Sequence, residues 1–296
     1  MRQGARVGLS AAKAMGVAVA AAVAAGVAFA RKRDFHMRRC MDGFARVYTV
    51  HDEEGEPLRV LNVGGVYQSA TRLGERWAEP AFAYYRAFDR MFEAAASSER
   101  SARIAPAFEG DLPDALPIHD VLMIGGGGCS YPKHLLTSCD DVSIDVVERD
   151  PAIARIARDF FFVDRLEREF GSDEGGGRFS MMVDDGLKHL QRASAFYDVI
   201  IDDAFSGEVA DDGLLSDKGL EAARGRLRPG GLLMVNVVAD DSLQDAMRLQ
   251  RLLSSLKRRF RFVHVIDASD ERFGGQSNFL VVATDGVYAF SDVIPW

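Results

Sequence analysis

The rhythm of hydrophobic positions changes along this chain, and the changes divide it. Between residues 44 and 70, ARVYTV and LRVLNV alternate apolar and polar side chains, as half-buried strands do. Charged HDEEGEP separates them as a turn, and VYQSA follows Gly64-Gly65. EPAFAYYRAFDRMFEAA has helical spacing, with Phe82, Tyr85, Phe88 and Phe92 on one stripe that is expected to be core rather than interface. The polar stretch SSERSARIAPAFEGDLPDALP then acts as a linker. From His119 onward the pattern alternates strand and helix. DVLMIG, VSIDVVE, RFSMMV, YDVIID and GLLMVNVV read as strands, with helices at PAIARIARDFF and around 186–193, 216–227 and 242–258. Arg228-Pro229-Gly230-Gly231 is expected to break the chain before the fifth of these strands. RFVHVID and NFLVVAT, close in sequence, predict a closing antiparallel hairpin. The fold class is α/β: a Rossmann-like, doubly wound, mostly parallel sheet preceded by a small N-terminal β unit. The implied divisions are an N-terminal segment 1–36, a β unit 37–72, a helix and linker 73–117, and a main α/β domain 118–296.

The N-terminus adds a further feature. From Ala14 to Ala30 the chain carries no charge, with Lys13 before it and Arg31-Lys32-Arg33 after it. Three readings stand: a single-pass membrane anchor near the lower length limit of ~17 residues, a signal-like segment ending in Ala28-Phe29-Ala30, and an extended start ahead of Met37 or Met41. As an anchor, its heavier positive flank would keep the remainder in the cytoplasm, tethered to the inner membrane face. A net charge of −8 argues against nucleic acid as a partner and suits a cationic small molecule. Cys40, Cys129 and Cys139 have neither disulfide-framework nor zinc-site spacing, which suits a reducing compartment.

In an open α/β sheet the ligand lies beyond the carboxyl ends of the strands, and four features fall there. Gly125, Gly126, Gly127 and Gly128 allow a tight turn and close backbone approach. Glu148, some twenty residues later, is placed to accept from ribose hydroxyls. Asp185, in Asp184-Asp185-Gly186, is placed either to accept from an adenine amine or to cap a helix. Asp202 and Asp203 follow an apolar run, where Asp203 can orient an amine and take its proton. Each has a structural alternative as a turn, a cap or a loop charge. Their order and spacing favour a site.

Together these residues resemble the spermidine synthase (aminopropyltransferase) family. The likeness lies in Val121-Leu122-Met123-Ile124-Gly125-Gly126-Gly127, Val147-Glu148-Arg149-Asp150-Pro151, Asp185-Gly186 and Tyr197-Asp198-Val199-Ile200-Ile201-Asp202-Asp203, with Gly65-Val66-Tyr67-Gln68-Ser69 in the β unit. The resemblance implies that Gln68, Glu148 and Asp185 hold a sulfonium nucleoside, decarboxylated AdoMet or AdoMet, and that Asp203 is the base. No metal is implied. An amine acceptor and a homodimer are. The departures fall at the chemistry: Gly128 stands where the family has an Asp, Ser206 where it has a second acceptor-binding acid, and the D-E-x-x-Y-x-E helix is not recoverable. Loss of the loop carboxylate removes a group that would repel the carboxylate of intact AdoMet. An AdoMet-dependent methyltransferase and a non-catalytic nucleoside-binding module are therefore alternative readings.

Overall fold

The computed structural model describes residues 34–52, 54–82, 84–94, 116–172, 177–204, 213–239, 242–269 and 277–295. The uncharged run 14–30 and Ser206 lie outside them. Among the described residues, no helix is long and apolar enough to cross a membrane.

The β unit is an antiparallel meander of β1 (His36–Cys40), β2 (Gly43–His51), β3 (Pro57–Val63) and β4 (Val66–Arg72). Gly64 and Gly65, at φ +62° and +94°, turn β3 into β4, and the Asn62 side chain accepts from the Gly65 amide at 3.2 Å. Two successive positive φ values make a tight hairpin whose twist suits its strands. Ala45, Val47 and Leu61 of one sheet face pack against Ile153, Ile156 and Phe161 of the following domain.

That domain contains β5 (Asp120–Ile124), β6 (Ser143–Glu148), β7 (Phe179–Val183), β8 (Tyr197–Asp202), β9 (Leu227–Ala239), β10 (Phe262–Asp267) and β11 (Ser277–Thr284). They form one sheet in the order β10-β11-β9-β8-β5-β6-β7. Strands β7, β6, β5, β8 and β9 are parallel, and β11 runs antiparallel to both β9 and β10. The expected closing hairpin is present, with its last strand inserted beside β9. Every residue of β8 is buried, which its near-continuous apolar run requires of a strand covered on both faces. Because β5 lies between β8 and β6, its carboxyl end is the point where strand order reverses and a crevice opens.

The described helices are α1 (Tyr84–Ala87), α2 (Ser130–Ser138), α3 (Pro151–Phe160), α4 (Val163–Phe170), α5 (Gly186–Arg192), α6 (Asp217–Arg224) and α7 (Leu243–Lys257). Pro151 opens α3, where its missing N–H costs nothing, and Asp150 caps it by accepting from the Ala152 amide at 2.8 Å. Two sequence expectations are corrected. The stretch Arg228-Pro229-Gly230-Gly231 lies inside β9 rather than before it. Its extra residues are absorbed where Tyr197 pairs with Leu227 and Val199 with Leu232. The helix expected over 79–95 is interrupted: α1 ends at Ala87, residues 88 and 89 form a turn, and helix resumes from 90. Pro80 still bridges to Thr71 of β4, so the chain is extended where the helix would have begun. Its aromatic stripe is nonetheless core, with Phe82, Tyr85 and Phe88 at 6%, 3% and 1% exposure.

Lys133, on the face of α2 turned to β4, is fully buried. Its Nζ donates to Thr71 Oγ1 at 2.7 Å and to the Phe161 carbonyl at 3.2 Å, and burial pushes its pKa down to about 7. Among the described residues no carboxylate contacts the ammonium.

Candidate active site

A cavity of about 630 Å³ opens over the carboxyl ends of β5–β8, roofed on one side by the β unit. Its lining includes Gln68, Gly125, Gly126, Gly127, Glu148, Asp185, Asp202 and Asp203, so the described residues singled out from the sequence converge, apart from Gly128. Asp42, Asp150 and Asp184 add three more carboxylates. Arg149 is the one cationic side chain among the described residues of the lining. Such a wall favours a cationic ligand and opposes an anionic one. Among the described residues no cluster of His, Cys, Asp and Glu is arranged to hold a metal ion.

The glycines are there for space. At Gly125, φ is +94° and an added Cβ would lie 2.6 Å from the Asp203 carbonyl carbon. The Asp203 amide donates to the Ile124 carbonyl at 2.9 Å, so glycine loop and acidic pair are fastened backbone to backbone. A Cβ on Gly126 would meet Val146 at 2.9 Å. Gly128 does not line the cavity. A Cβ there would lie 2.7 Å from the Phe161 ring and 2.8 Å from Ser69 Oγ. The position where the resemblance leads one to expect a loop Asp is thus turned inward, against β4 and the α3–α4 junction.

Glu148 is 8% exposed and accepts from the Gly127 amide at 3.0 Å and the Asp150 amide at 2.9 Å. Burial raises its pKa, opposed by those amides. Asp185 caps α5 through the Lys188 amide at 2.9 Å while still facing the cavity, so the two readings of this residue are compatible. Its neighbour Asp184 is tied to Arg192.

Asp202 is buried, and its Oδ1 accepts from the Ala204 amide at 3.1 Å. Asp203 is half-buried; Asn236 Nδ2 donates to its Oδ1 at 2.8 Å, and the Tyr84 hydroxyl donates to the same carboxylate. Each carboxyl is pushed up to about 7, first by burial. For Asp203 the adjacent Asp202 raises it further, against the two donors. A carboxylate poised near neutrality can take a proton from an ammonium-forming nucleophile. Tyr85 lines the cavity beside Tyr84, ring centroids 4.2 Å apart.

Tyr84, Tyr85 and Asn236 are site residues that the sequence reading does not select. Asn236 had a signal, as the single polar residue within GLLMVNVV at a strand's carboxyl end. The tyrosines had none, being submerged in an aromatic stripe.

Residues 115–266, just over half of the chain, match the family model described as the spermine/spermidine synthase domain. A polyamine aminopropyltransferase of Escherichia fergusonii is 26% identical over 212 residues, 70% of each chain. One from Neisseria meningitidis serogroup A is 30% identical over 146 residues, covering 49% of this chain and 51% of that protein. The crystal structure of spermidine synthase from Thermotoga maritima superposes with a TM-score of 0.60 at 16% identity, covering 88% of this chain and 75% of that one. The matched segment contains the five parallel strands, the glycine loop and the acidic strand ends at Glu148, Asp185 and Asp202-Asp203 described above, and by that match the chain belongs to the spermine/spermidine synthase family.

Proposed function

We propose that this chain is a transferase that moves an aminopropyl group from decarboxylated AdoMet to an amine. The observation that carries the reading is an acidic cavity in which Asp202 and Asp203 meet the glycine loop at the strand-order reversal. Glu148 and Asp185 hold ribose and adenine, Gln68 contacts the nucleoside from the β unit, and Gly125–Gly127 let it approach the backbone. The acceptor nitrogen attacks the methylene beside the sulfonium sulfur. A C–N bond forms as the C–S bond breaks, the electron pair stays on sulfur, and methylthioadenosine leaves. Asp203, ionised and oriented by Asn236 and Tyr84, takes the proton released from nitrogen. The acidic wall favours the decarboxylated donor over intact AdoMet, whose extra carboxylate would face Asp202 and Asp203, the one cation among the described residues of the lining, Arg149, being paired with Asp42.

The test is to incubate the full chain with each donor and a diamine, and to identify the nucleoside released. Methylthioadenosine formed only from decarboxylated AdoMet supports the reading. S-adenosylhomocysteine from intact AdoMet would replace it with a methyltransferase. Calorimetric binding of a donor with neither product would leave a nucleoside-binding module.

A further inference from the structure

One face of the β unit is only half covered. Antiparallel partners share a face, so Met37 and Arg46, Arg39 and Phe44, and Asn62 and Tyr67 lie on the side that also carries Tyr48 and Val60. At one end of this face Tyr48, Val60 and Ala70 pack into the main core. At the other, Met37 is 56% exposed, Phe44 55% and Tyr67 47%, with Met41 at 62% on the adjoining hairpin tip. Isolated exposed apolar residues are ordinary; several contiguous on one sheet face mark an interaction surface.

The charges there have the opposite sign to the protein as a whole. Arg39 and Arg46 make no ion pair among the described residues, whereas Asp34, Asp42 and Asp52 of the same unit are engaged by Arg59, Arg149 and Arg72. The chain carries a net charge of −8, so this is a local cationic patch. In sequence it directly follows Arg31-Lys32-Arg33 and the uncharged run 14–30, and β1 is an edge strand of its sheet.

We propose that this face docks on an anionic phospholipid surface. Met37, Met41, Phe44 and Tyr67 enter the headgroup–acyl boundary, where thioether and aromatic side chains partition well, and Arg39 and Arg46 meet lipid phosphates. Two other occupants fit the charges poorly. A second copy placed face to face would bring two arginine-bearing patches together, with no carboxylate among the paired positions named above to offset them. The run 14–30 contains no carboxylate to pair with them. The inference is independent of the reaction proposed above.

The test is acyl-chain quenching in the full chain. Phe44→Trp places a fluorophore on the patch, against a background from Trp77, which is buried, and Trp296. On anionic vesicles with brominated acyl chains, emission should fall by ~2-fold beyond the loss seen in the wild type. Adding Arg39→Glu and Arg46→Glu should abolish that excess without changing the far-UV circular dichroism. Absence of excess quenching, or equal quenching on uncharged vesicles, overturns the proposal. So does a lipid-free dimer that Arg46→Glu dissociates.

Discussion

Asp203 is held by two donors, Asn236 and Tyr84, while burial and Asp202 keep its proton on to about 7. The consequences have a definite sign. In the unfolded chain an aspartate ionises near 3.8, so between pH ~4 and 7 the folded state binds protons that the unfolded state has released. Stability of the ligand-free protein is therefore expected to fall as pH rises through this window. Thermal melting of wild type against Asp202→Asn, whose side chain does not titrate, checks this, since the variant should show a shallower slope. Catalysis has the reverse dependence, because only the ionised carboxylate accepts a proton: kcat/KM is expected to rise from pH 6 to 8. Asp203→Asn should lower kcat by ~10²–10⁴ while donor binding by calorimetry is kept. An equal loss of donor affinity would mean that Asp203 holds the nucleoside instead. Asp203 was legible from the sequence, as an acid after a buried run. Of its partners, Asn236 showed only as a lone polar residue in an apolar strand and Tyr84 not at all, because α1 and β9 reach Asp203 only through the tertiary fold.

At the scale of elements, the glycine loop between β5 and α2 is set by what presses on it. Gly125 has a positive φ and touches the Asp203 backbone, so Gly125→Ala should destabilise the protein by ~1–3 kcal/mol or more and displace the acidic pair. Denaturant titration and turnover of the same variant should fall together. Gly128 gives a sharper result. The resemblance read from the sequence suggests that Gly128→Asp would restore a donor-binding carboxylate. The structure predicts a lower melting temperature and no gain in turnover, because the Phe161 ring and Ser69 Oγ occupy the space. A gain in turnover at unchanged stability would show that the loop adopts another course. The loop's presence could be read from four consecutive glycines. Its inward turn at residue 128 could not, since Phe161 and Ser69 come from elements distant in sequence.

At the scale of the molecule, the β unit and the Rossmann-like domain share Lys133. Buried without a carboxylate, its ammonium is disfavoured, and the folded pKa of about 7 lies below the unfolded 10.5. Between these values the unfolded state binds the extra proton, so stability should rise with pH from 7 to ~10. Lys133→Met, similar in volume and never charged, should show less of that rise and be at least as stable at pH 6, as melting curves would reveal. If the variant separates the two units instead, limited proteolysis would cut between β4 and β5 and Gln68 would no longer roof the cavity. The sequence by itself determined the α/β alternation, the strand ends that carry Gly125–Gly127, Glu148, Asp185 and Asp203, and a net charge suited to cations. All of these depend on periodicity and neighbours a few residues apart, which a chain displays in one dimension. Tertiary structure decided which strands adjoin β5, that a turn at Phe88–Asp89 interrupts the aromatic stripe, that Gly128 turns inward, and that Lys133 is sealed between two units. Those outcomes depend on close packing between residues far apart in the chain, where a tenth of a nanometre decides what fits.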